Sequence, residues 1–161
     1  MEVKFVGNNL VEFNDCRICF RNFSGVASKY NRSGDRNFSI VIDSEEAKNL
    51  LVERGFNVKI KPPREEGDAP VMYLQVKFKY DNNGHGPSLY LESFGNRVLL
   101  DANSVGTLDQ VDIENCYFDI RAFDWEMDGD TGTSAWLNGG LVIQRTDRFA
   151  TMGMDRFGEA Q

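Results

Sequence analysis

Four stretches of this 161-residue chain hold side chains able to do chemistry. Cys16 and Cys19 form a Cys-x-x-Cys, the spacing of zinc and redox sites. Residues 124–132, DWEMDGDTG, put acids at the first, third, fifth and seventh places of a calcium-type loop and Gly129 at the sixth. His85, the single histidine, sits in NNGHGP. Residues 21–38, RNFSGVASKYNRSGDRNF, write RNF twice around a small-residue loop that carries Lys29, Tyr30 and Arg32.

The first three carry little. In a strand, positions three apart face opposite sides, so Cys16 and Cys19 do not converge on one ion. A second zinc pair would have to come from Cys116 and His85 alone. The calcium-type loop needs a bidentate Glu at its twelfth place and has Ala135 there, between strand-like flanks. It reads instead as a β-hairpin turning at Asp128-Gly129 with a solvated acidic tip. Around His85 no Ser-His-acid set, G-x-S-x-G or phosphate-binding Gly loop can be built. The sequence points to a binding protein rather than an enzyme, without metal or cofactor.

The fourth stretch combines what single-stranded nucleic acid requires: cations along phosphates and flat side chains for stacking, each stacked base contributing about 1–3 kcal/mol. Phe23, Tyr30 and Phe38 are the stacking candidates, and Arg21, Lys29, Arg32 and Arg36 the phosphate candidates. Lys59, Lys61, Lys77 and Lys79 on neighbouring strands join them. The competing reading makes Phe23 and Phe38 core anchors, since Phe in a strand is more often buried. Trp125 and Trp136, on late strands, read as core.

The elements that must position these residues are mostly strands. Apolar residues alternate in KFV near the start and over 16–23, 37–43, 57–61, 72–80, 88–94, 97–100, 111–123 and 134–145. In MYLQVKFKY, Tyr73, Gln75, Lys77 and Lys79 share one wet, basic face, opposite Met72, Leu74, Val76, Phe78 and Tyr80. One helix is expected in DSEEAKNLLVERG, capped by Asp43 or Ser44, stopped by Gly55 and buried through Ala47, Leu50, Leu51 and the Arg54 stem. A short helical turn follows Asn103. Many short strands with one helix and long loops suggest a mainly β, OB-like, closed or partly closed small barrel over residues 1–146. Residues 147–161 lack a sustained period and read as a loosely ordered tail.

Charge is divided along the chain. The net charge is −7, yet residues 1–100 hold 14 Lys+Arg against 13 Asp+Glu, and residues 101–161 hold 4 against 12. Residues 17–38 hold five basic groups against Asp35 alone, which favours a polyanion locally. No apolar run is long enough for a membrane span, no secretory leader is visible, and three Cys fit a reducing cytoplasm.

RNFSG, a following Tyr-Asn, GDRNF leading into IVID and a Glu-rich helix, and the later VGTLD segment resemble a group of bacteriophage single-stranded-DNA-binding proteins with an OB-like fold. The resemblance covers roughly residues 16 to 145. It implies a largely sequence-independent binder of single-stranded DNA acting in phage replication or recombination, in the cytoplasm of the infected bacterium. Its partners would be the DNA and phage or host replication and recombination proteins, with no membrane and with homo-oligomerisation left open. Gly25 and Gly34 would supply positive φ, and Asn22, Asn31 and Asn37 would bond turn backbone. Many replication single-strand binders carry a strongly acidic tail, whereas residues 146–161 here set two Arg against two Asp and one Glu. The alternative is a phage protein-interaction module, a host-factor inhibitor or DNA mimic, using the nine acids of 101–130.

Overall fold

The alternation folds most of the chain into strands. In the computed structural model, which describes residues 1–29 and 32–146, these are β1 (Glu2–Val6), β2 (Leu10–Cys16), β3 (Ile18–Asn22), β4 (Arg36–Ile42), β5 (Lys59–Lys61), β6 (Val71–Phe78), β7 (Ser88–Ser93), β8 (Asn96–Leu99), β9 (Ile113–Met127) and β10 (Asp130–Gln144). One helix, α1 (Glu45–Arg54), follows β4, and a 3-10 turn spans Val105–Asp109.

The strands form one sheet in the order β1-β2-β9-β10-β6-β4-β3, with β5 beside β6 and β7 between β10 and β8. The ladder is not closed. Its two flanks are joined through the chain at Arg17, where β2 passes into β3 and the Val41 N–H donates to the Arg17 carbonyl at 2.9 Å. The OB-like reading therefore holds as a partly closed barrel, wrapped around Phe13, Phe23, Phe38, Ile40, Val76, Phe118 and Ile120.

Local chemistry fixes the element ends. Ser44 Oγ accepts the Ala47 N–H at 3.1 Å to start α1, and Gly55, at φ 115°, ends it. Ala47 and Leu51, one turn apart, are buried, whereas Leu50 is exposed rather than part of the inner stripe. It lies about 100° around the helix from Leu51, off the line that meets the sheet. The β9–β10 hairpin turns at Asp128-Gly129, both with positive φ as a two-residue type I′ turn requires.

The strands differ from the sequence expectation most at the β9–β10 hairpin, where β9 runs on to Met127 and β10 begins at Asp130, and in the region of β2 and β3. LVEFNDC forms β2, a strand of its own, with Val11 and Phe13 buried. The 16–23 stretch breaks at Arg17, and Phe20, at φ 50°, lies within a register shift between Cys19 and Asn22. Cys16 and Cys19 thus belong to different strands, and Cys16 lies opposite Cys116 in the core. Burial pushes the Cys116 thiol up to about 12 and the Cys16 thiol higher still.

Candidate nucleic-acid interface

The two RNF triplets form a lock, not a stacking platform. Phe23 and Phe38 are each 0% exposed, and their rings stack on each other with centroids 4.8 Å apart and planes 13° from parallel. Full burial of such a ring contributes roughly 1.5–3 kcal/mol whether or not a ligand is present, which competes well with a stacking gain available only in a complex. The stacking roles expected of Phe23 and Phe38 are corrected accordingly.

Arg21 and Arg36 face carbonyls. Arg21 Nη1 donates to the carbonyls of Leu108 (3.0 Å) and Val111 (2.6 Å). Arg36 Nη1 donates to the Phe23 carbonyl at 2.7 Å and Nη2 to the Ala102 carbonyl at 3.0 Å, with the guanidinium 5.5 Å from the Tyr80 ring centre. Asp109, at the end of VGTLD, accepts the N–H groups of Phe23 (2.7 Å) and Ser24 (3.1 Å). RNFSG, GDRNF and VGTLD therefore meet in one cluster that clamps the base of the β3–β4 loop. Within that loop Gly25 and Gly34 do adopt positive φ, and Asn22 Oδ1 accepts the Val26 N–H at 3.0 Å. Lys29 and Arg32 are exposed beyond the clamp, Arg32 3.4 Å from Asp35; Tyr30 and Asn31 lie outside the described residues.

A second face gathers exposed rings and cations. On β6 the burial of Leu74, Val76 and Phe78 turns Tyr73, Gln75 and Lys77 outward, as the alternation requires. Lys77 lies between Asn37 of β4 and Trp136 of β10, and Trp136 is opposite Arg121 of β9. Farther along, Phe123 lies opposite Ser134, Trp125 opposite Gly132, and Lys59 opposite Tyr73. Phe123 is 59% and Trp125 40% exposed. Both Trp residues thus stand on the outer face instead of in the core. The Trp125 indole lies against Gly132, where a Cβ would come within 2.5 Å of it. Lys79 Nζ lies 5.9 Å from the Trp136 ring centre.

The row continues to β3. Phe20, turned out by its positive φ and 48% exposed, packs edge-on against Tyr73 at 5.0 Å. Lys61 Nζ sits 5.0 Å from the centre of the Phe20 ring. Lys59, Lys61, Lys77 and Lys79 therefore share a surface with rings of which none was among the stacking candidates. Clefts along it share linings: Lys77, Lys79 and Trp136 line one together with Arg32, and Lys59, Lys77 and Trp125 line the next.

The acids of 101–130 do not form one surface patch. Asp109 holds the RNF clamp, and Asp101 accepts the N–H groups of Asn103 and Ser104. Asp124 accepts both ends of the Arg54 guanidinium, at 2.7 and 3.2 Å, and the Thr133 hydroxyl at 2.7 Å. The Arg54 and Thr133 hydrogen bonds hold its carboxyl below the usual range. Asp119 lies opposite Glu12 on the β2 flank, and burial, then the Glu12 charge, raise its pKa.

Residues 2–152 match the family model described as "Putative phage ssDNA-binding domain". The chain belongs to that phage ssDNA-binding family. No curated protein matches it. Among solved structures, the single-stranded DNA-binding protein from bacteriophage Enc34 is similar, with a TM-score of 0.55 and 9% identity over 92% of this chain and 93% of that one. The Enc34 protein in complex with ssDNA gives 0.53 and 10%, over 91% and 96%. At such identity the likeness carries the fold, and it agrees with the OB-like architecture of this phage ssDNA-binding domain. Among the described residues, no helix is long and apolar enough to cross a membrane.

Proposed function

We propose that this phage domain binds single-stranded DNA largely independently of sequence, across the outer face of β5, β6, β10 and β9, in phage DNA replication or recombination in the cytoplasm of the infected host. Trp136, Trp125, Phe123 and the Phe20–Tyr73 pair offer stacking surfaces. Lys59, Lys61, Lys77, Lys79 and Arg121 follow the phosphates, with Lys29 and Arg32 extending the basic edge at the β3–β4 loop. The reading assigns no catalytic step and no cofactor. One observation supports it above the others: rings and cations interleave on a single face of a chain whose net charge is −7.

The test is competition between oligo-dT and duplex of equal length at several salt concentrations. Single strands should win. Replacing Lys77 and Lys79 together by Ala should reduce the salt slope by about 1.4, since each single-strand phosphate contact contributes about 0.7. Equal binding of duplex at low salt, or an unchanged slope, would overturn the reading.

A further inference from the structure

At one end of this face the connection between β6 and β7 overhangs β9 and β10 and leaves a cleft of about 450 Å³. Phe123 and Trp136 contribute its apolar lining, and Gly86 and Pro87 stand on its wall. That wall is held in shape. Asp81 accepts the N–H groups of Asn83 (2.9 Å) and His85 (2.8 Å), and its own N–H donates to the His85 carbonyl at 2.8 Å. Gly86 is pressed so closely on the Tyr80 ring that a Cβ would come within 2.4 Å of it.

Asn138 stands at the rim for a structural reason. The β9–β10 register shifts between Leu137 and Gly139, leaving Asn138 as the extra residue of a β-bulge, a device that re-aims a side chain beside a site. Arg121 Nη2 donates to Asn138 Oδ1 at 3.0 Å. A guanidinium has no acceptor, so this contact fixes which way the amide points and leaves the Nδ2 hydrogens to whatever enters the cleft.

We infer that this cleft is a base subsite selective for keto bases, thymine and guanine, over the amino bases cytosine and adenine. The inference rests on the single-stranded-DNA reading and adds a discrimination to it. Thymine O4 and guanine O6 accept hydrogen bonds where cytosine N4 and adenine N6 donate. Donor meets acceptor for the first pair and donor for the second. Since Arg121 holds the amide oxygen, Asn138 cannot flip to suit an amino base without giving up that bond.

Oligo-dU and oligo-dC of equal length isolate the effect, because they match in ring size and backbone charge. In fluorescence-anisotropy competition the wild-type protein should prefer oligo-dU by roughly tenfold. Asn138→Ala should bring the ratio close to one at an unchanged salt slope. Asn138→Asp, which replaces the donors by acceptors, should turn the preference towards oligo-dC. Equal binding of the two oligomers by the wild type, or a preference that survives both substitutions, overturns the subsite and leaves DNA binding standing. If neither oligomer binds, the DNA reading itself falls and the subsite with it.

Discussion

Arg36→Ala separates the clamp from the binding face. Arg36 makes two hydrogen bonds to backbone carbonyls, at 2.7 Å to Phe23 and 3.0 Å to Ala102. The guanidinium is half-buried, so each is taken at the low end for charged donors, about 1.5 kcal/mol, or about 3 kcal/mol together. For a domain of this size such a loss lowers Tm by roughly 6–12 °C. Thermal unfolding by circular dichroism measures the first effect. Oligo-dT binding against salt, well below the variant's Tm, measures the second, and the slope should equal that of the wild type. Arg36→Lys should recover under half of the stability, because an ammonium cannot span both carbonyls with the same fork. A variant with wild-type Tm and a flatter salt slope would refute the reasoning and make Arg36 a phosphate ligand.

Gly132→Ala should push the Trp125 indole off its seat and weaken oligo-dT binding by about 1 kcal/mol, roughly fivefold, with little change in Tm; undiminished affinity would detach Trp125 from the face. Asp119→Asn should raise Tm at pH 7. The folded-state pKa of Asp119 is raised, so the wild type gains stability as pH falls and bears the penalty fully above that pKa. The advantage of the Asn variant, followed by thermal unfolding against pH, should therefore vanish once pH drops below the ordinary carboxyl value of 3.8.

The sequence made some of this legible and hid the rest for identifiable reasons. Strict alternation in MYLQVKFKY exposed the basic face of β6, and Ser44 and Gly55 marked the ends of α1, because each signal is local. The RNF triplets misled because an Arg beside a Phe reads alike whether it awaits phosphate or clasps a carbonyl. Three of the four carbonyls concerned, those of Ala102, Leu108 and Val111, lie 66 to 90 residues away. Trp136 lies in SAWL, where residues of both parities are apolar, so the outward face emerged only from the pairing with Lys77 and Arg121. Phe20 was hidden by a register shift that resets the alternation within one short strand. The stacking role expected of Tyr30 and the C-terminal tail over 147–161 fall outside the described residues.

The two tryptophans of the chain allow the most direct test, since Trp125 and Trp136 both stand on the proposed face. Indole emission is followed while oligo-dT is added to saturation, with binding scored independently by anisotropy of a labelled strand. Quenching should track the binding curve and persist in part in Trp125→Phe and in Trp136→Phe. A labelled strand that binds while indole emission stays constant would place the DNA elsewhere and contradict the account.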